Sequence, residues 1–180
     1  MGHAKPFATE TPFYALLEFE SSTDAVMDKA MALFEETVEQ GWVMDGVLSQ
    51  SLSQTESLWK LREDISETLW QWQPYKNDIS VRVSRMPDFL GEVDDLVATR
   101  YPDFEVVWYG HIGDGNIHFN LTQPTGKSAD EFLAHTDNLC PEIHDIAMNL
   151  GGSFSAEHGI GVLKKPELER YKSAVEKDLM

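Results

Sequence analysis

The chain has 180 residues, with 31 Asp and Glu against 14 Lys and Arg, for a formal net charge of −17. A surface that anionic repels phosphate backbones and anionic lipid, so nucleic acid and charged membrane surfaces are excluded as expected partners. With 42% hydrophobic residues there is material for a core, which excludes disorder over most of the length.

Residues 1–12 read as a polar lead-in, and 13–180 as a single domain. Phe13 to Phe19 is apolar and aromatic and predicts a strand. Ser22 to Gln40 carries Val26, Ala30, Leu33 and Val38 near helical spacing and ends at Gly41, a helix stop. Trp42 to Ser51 predicts a second strand. Ser53 and Glu56 stand at capping-box spacing before a helix with Leu58, Leu61, Ile65, Leu69 and Trp72 as its apolar stripe and Pro74 beyond its end.

The second half has a similar rhythm. Asp78 to Ser84 alternates Ile79, Val81 and Val83 with polar neighbours and predicts a half-buried strand, and Pro87 suits the first turn of a helix. Phe104 to His111 and Asn116 to Thr122 read as strands around a Gly-Asp-Gly-Asn turn. Ser128 to Leu150 reads as a long helix with a capping box at Ser128 and Glu131, which Pro141 should kink or split. The expected fold is α+β: a mainly antiparallel sheet with helices packed on it, in two ferredoxin-like βαβ-type halves.

Cys140 is the lone cysteine, so an internal disulfide and a cysteine-based metal site are both ruled out, and a reducing, cytoplasmic setting is expected. No apolar run approaches the roughly 20 residues of a membrane helix, and the start lacks the pattern of a signal peptide. His3, His135 and His144 receive no role.

Asp114-Gly115 between apolar residues predicts a two-residue hairpin loop. That loop sets His111 opposite His118, with Asn120 on the same face. Two imidazoles so placed can reach one divalent ion, although a hairpin can equally carry two stacked or solvated histidines. A second cluster, Gly151-Gly152-Ser153-Phe154-Ser155-Ala156-Glu157-His158-Gly159-Ile160-Gly161, sets Glu-His among glycines that allow close backbone approach, where the plainer reading is a flexible connector. Together His111, His118 and Glu157 form a two-histidine, one-carboxylate set with room for a substrate, leaving His158 for acid–base work.

At these motifs the sequence resembles the C-terminal, substrate-binding domain of the flavin-linked oxidases, a family that includes D-lactate dehydrogenases, the glycolate oxidase D subunit and D-2-hydroxyglutarate dehydrogenases. The resemblance rests on His-Ile-Gly-Asp-Gly-Asn-Ile-His, Glu-His-Gly-Ile-Gly, Leu58-Trp59-Lys60-Leu61-Arg62-Glu63 and Tyr75-Lys76-Asn77-Asp78-Ile79-Ser80. It implies His111, His118 and Glu157 as ligands of zinc, manganese or iron, and His158 as the base. It further implies Arg62 and Lys76 as cations for a substrate carboxylate, with Asn120 and Ser66 as further substrate contacts. Arg82 departs from the family, standing where many relatives carry proline.

The implied function is oxidation of a D-2-hydroxy acid to the 2-oxo acid. FAD would be held mainly by a separate N-terminal domain that nothing in these residues resembles, so the chain alone is expected to be inactive; the proline- and glycine-containing tail usual at the family's C-terminus is also missing. The expected partners are the small hydroxy acid and that FAD-binding domain, and a homodimer is an admissible assembly. Two rivals from other classes are a flavin-free metallohydrolase and a non-catalytic small-molecule-binding module.

Overall fold

The structure, a computed structural model, describes residues 3–20 and 23–180, with Asp24 described by its backbone alone. Two compact units divide it, Met1–Thr68 and Leu69–Met180.

In the first unit, α1 (Asp24–Glu39) follows the predicted apolar spacing. Its expected first residue, Ser22, lies outside the described residues. Gly41, at φ +72°, ends it. The amide of Gly41 donates to Val38 (2.9 Å) and that of Trp42 to Thr37 (3.0 Å), a Schellman closure. The strands expected over residues 13–19 and 42–51 do not form. Aromatic and branched residues favour a strand only where a neighbouring strand pairs with it, and neither segment has a ladder partner among the described residues. The strand–helix rhythm of the first half is therefore unrealised. α2 (Leu52–Glu63) is capped by Ser51, whose hydroxyl accepts from the Gln54 amide (3.3 Å), while the Gln54 side chain accepts from the Gln50 amide (2.6 Å). The cap thus lies two residues before the expected one. A break at Asp64 separates α2 from α3 (Ile65–Leu69), and a 3-10 turn over Trp70–Trp72 follows.

The second unit is built on an antiparallel sheet of order β1-β3-β2, from β1 (Tyr75–Ser80), β2 (Glu105–His111) and β3 (Asn116–Thr122). The strand expected over 78–84 starts earlier and stops at Ser80. Beyond it the Val81 amide is taken by the Gly115 carbonyl (3.1 Å), and Val83 enters a 3-10 turn where it is exposed. α4 (Met86–Arg100) starts with Pro87 in its first turn. α5 (Ala129–Asn149) carries both bonds of the predicted capping box and runs unbroken through Pro141. Leu139, Cys140, Ile143 and His144 are all buried around that proline, and this packing holds the helix despite its missing N–H. Two short helices, α6 (Lys165–Tyr171) and α7 (Ala174–Leu179), complete the α+β fold. No described helix is long and apolar enough to cross a membrane.

Because side chains alternate along a strand, the sheet has two unlike faces. Ile79, Ile117, Phe119 and Leu121 are buried in one core with Phe89 and Val93 of α4 and Leu139 and Ile143 of α5. Cys140 lies buried beside this core, and burial pushes its thiol up to about 11, which leaves it unreactive. His144 is also buried, with Nε2 at 3.1 Å from Asn77 Oδ1; desolvation lowers its pKa to about 4, so the ring is neutral at pH 7. The other face of the sheet presents Lys76 and Asp78 from β1, His118 and Asn120 from β3, and Tyr109 and His111 from β2.

Candidate metal and substrate site

The hairpin between β2 and β3 differs from its expected register. Tyr109 pairs with His118, and His111 with Asn116, around a four-residue turn over 112–115. The far end of the turn is tied to Val81, the residue after β1. Gly115, at φ +75°, gives its carbonyl to Val81, and a Cβ there would stand 1.9 Å from the Val81 oxygen. Asp114 Oδ1 also accepts from the Asn116 amide (3.0 Å), an Asx turn. A two-residue slip moves the pairing yet leaves every side chain on its own face, so the two histidines still meet. Their ring centroids are 5.4 Å apart at 82°. Tyr109, directly opposite His118, packs against its ring at 4.9 Å.

The acid arrives from the loop after α5. Gly151 (φ +74°) and Gly152 close the helix by donating to Met148 (3.0 Å) and Ala147 (2.8 Å). The next residue, Ser153, exchanges two backbone bonds with Ser80 at the end of β1, at 3.0 and 2.7 Å. Lys164 clips the loop further, donating from Nζ to the Phe154 carbonyl (2.5 Å) and the Asp78 carbonyl (3.5 Å). Burial lowers the Lys164 pKa, and the neighbouring Asp78 charge opposes that shift. Ala156 takes φ +48° just before Glu157, and the His158 amide donates to Ser155 (2.8 Å). This loop is held against the sheet, not free as a connector would be.

The outcome is that His111, His118 and Glu157 each bring a ligand atom within 4.8 Å of the others. An ion bound at about 2.0–2.1 Å holds its ligands within roughly 4 Å of one another, so small side-chain adjustments bring the three donors to one centre. His158 stands half-exposed, its Nε2 3.4 Å from Asp78 Oδ2.

Of the residues expected to meet substrate, Lys76 and Asn120 are cross-strand partners on the same face as His118. The Lys76 ammonium lies over the Trp70 ring, 4.7 Å from its centroid. Asn120 is 1% exposed; its Nδ2 donates to the His118 carbonyl (3.1 Å) and the Val107 carbonyl (3.4 Å), while its Oδ1 has no partner among the described residues. A buried acceptor without a donor costs about 1–3 kcal/mol, which a ligand hydroxyl would relieve. Arg62 lies in the last turn of α2 and Ser66 in α3, both in the first unit. The break at Asp64 interrupts the continuous helical face on which the sequence set them.

Two residues escaped the sequence reading. Asp78 touches both His118 and His158, and Lys164 anchors the loop. Alternation along β1 could have found Asp78, since it shares a face with Lys76. Lys164 left no such signal.

The whole chain, residues 1–180, matches the family of FAD linked oxidases, C-terminal domain. The chain belongs to this family. A D-2-hydroxyglutarate dehydrogenase of Stutzerimonas stutzeri is 51% identical over 175 residues, covering 97% of this chain and 38% of that protein. One of Xanthomonas citri pv. viticola is 49% identical over 179 residues, covering 99% and 38%. The mitochondrial D-2-hydroxyglutarate dehydrogenase of Arabidopsis thaliana is 33% identical over 178 residues, covering 96% and 30%. This FAD-linked oxidase domain thus spans well under half the length of the curated relatives it matches.

In the oxidase domain the loop's seat on β1 is tight. A Cβ on Gly152 would lie 2.2 Å from the Ser80 oxygen and 2.9 Å from that of Ala147, whereas one on Gly159 meets nothing within 4 Å. Gly152→Ala is expected to cost about 1–3 kcal/mol, lowering Tm by roughly 3–10 °C, with Gly159→Ala near neutral. Thermal melts of the two variants side by side check this.

Proposed function

We infer that the domain binds substrate and a divalent ion for an FAD-dependent dehydrogenase that oxidises a D-2-hydroxy acid, with D-2-hydroxyglutarate as the substrate. The carrying observation is the meeting of His111, His118 and Glu157 from two remote segments, within a chain of the FAD-linked oxidase family. The names of the relatives support the choice of hydroxy acid.

Two imidazoles and one carboxylate suit zinc, manganese or iron and leave coordination positions open. When bound, such an ion supplies Lewis-acid activation of the α-hydroxyl, and FAD supplies the hydride acceptor. The chain's own residues do the rest. His158 takes the hydroxyl proton, the work of a positioned general base. Lys76 meets a substrate carboxylate as a point charge. Asn120 Oδ1 is a buried acceptor suited to an incoming hydroxyl. Against a net charge of −17, Lys76 supplies local attraction for a dianionic acid.

The test is anaerobic mixing of the full-length flavoprotein with D-2-hydroxyglutarate, D-lactate and D-malate, following loss of visible flavin absorbance. Rapid bleaching by D-2-hydroxyglutarate, with the L-isomer inert, supports the reading. Absence of bleaching by every D-2-hydroxy acid overturns it.

A further inference from the structure

Asp78 was singled out by neither the sequence motifs nor the ion-site geometry, yet it lies at the centre of the polar face. It sits directly across from His118 in the β1–β3 ladder. Its Oδ1 is hydrogen-bonded to His118 Nδ1, and its Oδ2 stands 3.4 Å from His158 Nε2. The carboxylate is about one-third exposed and the His118 ring less than one-fifth, so the contact is sheltered from bulk water. Lys164 is the cation that reaches this strand from the loop, through the Asp78 carbonyl.

We propose that Asp78 is a positioning residue that fixes the tautomer and orientation of the ion-binding imidazole of His118 and sets its spacing from His158. The inference rests on the ion-site reading above. A carboxylate only accepts, so the proton of His118 must sit on Nδ1. The nitrogen left with a free lone pair is then Nε2, and the ring plane is fixed by a bond from a rigid strand. A carboxylate behind a histidine ligand orients the ring and raises its basicity. Here the same carboxylate also faces the proposed base, so one side chain spans the distance between binding and proton removal. Tyr109, packed at a tilt against the His118 ring, limits the remaining rotation.

The experiment compares the wild-type protein with Asp78→Asn, Asp78→Ala and His118→Ala, using Zn2+ alone as probe in competition with a chromophoric chelator. Melting of the metal-free proteins and NMR of isotope-labelled histidine, which reads the tautomer, run in parallel. The isosteric Asn keeps the volume but removes one accepting oxygen. The expected result is a roughly 10–100-fold weaker Zn2+ affinity for both Asp78 variants, a mixed His118 tautomer, and an unchanged melting temperature for Asp78→Asn. If Zn2+ affinity is unchanged in Asp78→Asn while His118→Ala has lost it, the role of Asp78 falls and the ion site stands. Weaker affinity with the Nδ1-protonated tautomer retained and the melting temperature lowered would reduce Asp78 to a structural residue and also overturn the proposal. If the wild-type protein and His118→Ala fail alike to bind Zn2+, the ion-site reading itself falls, and the role of Asp78 with it.

Discussion

His111→Ala and Glu157→Ala each remove one of three donors, and ion affinity is expected to fall by more than roughly 100-fold, beyond what loss of a supporting residue produces. The geometry sets this size. The three donors come from the two ends of one hairpin and from a loop that reaches them through the Ser80–Ser153 bonds, and a bound ion would be what joins them. Removing Glu157 leaves two imidazoles, without the one carboxylate of the set. His111 and Glu157 are both exposed, so their loss opens no cavity and should hardly affect the melting temperature of the metal-free protein. Ile112→Ala, at a 73% exposed position in the same turn, is the control that should retain the ion. Metal analysis after dialysis, followed by competition titration, reads the outcome. Undiminished affinity in either donor variant would remove the site.

His158→Ala should leave the ion in place and lower kcat by roughly 10²–10⁴-fold, the range of a lost general base. The ring is half-exposed, its nearest charged partner is Asp78, and no core contact depends on it. Binding of the hydroxy acid relies on other groups, so KM should change far less than kcat, and the rate of flavin reduction under saturating substrate in the full-length enzyme is the measurement. A variant reducing its flavin at the wild-type rate would show that the proton leaves by another route. A change confined to KM would make His158 a binding group.

Much of the site was legible because its motifs are local. The pairing of two histidines depends only on a short turn and the period of two along a strand, so an error of two residues in register left both rings on the right face. A slip of one would have hidden His118. The capping box at Ser128 and the stop at Gly151 were readable because they satisfy backbone groups within a few residues of each other. What failed was what depends on partners remote in sequence. Phe13 to Phe19 has the composition of a strand and no strand beside it among the described residues. At the end of β1 Ser80 pairs with a serine far along the chain and Val83 enters a 3-10 turn, and no pattern within residues 78–84 announces that. Of the two outcomes expected at Pro141, the split does not occur: the buried contacts around it outweigh a local penalty. Asp78 was visible as an alternating strand residue, but its two imidazole neighbours come from other elements.

The short ladder between Ser80 and Ser153 has a kinetic consequence. The hairpin can zip early, since its closure involves only a few residues, whereas docking the distal loop requires ordering nearly all of the intervening chain, including α4 and α5. Loop closure therefore favours an order in which the imidazole pair meets before its carboxylate partner, and an ion site built from all three would be completed late. An ion captured at that stage would favour the finished state over every earlier one by mass action, and its supply and the folding yield would then be linked quantities.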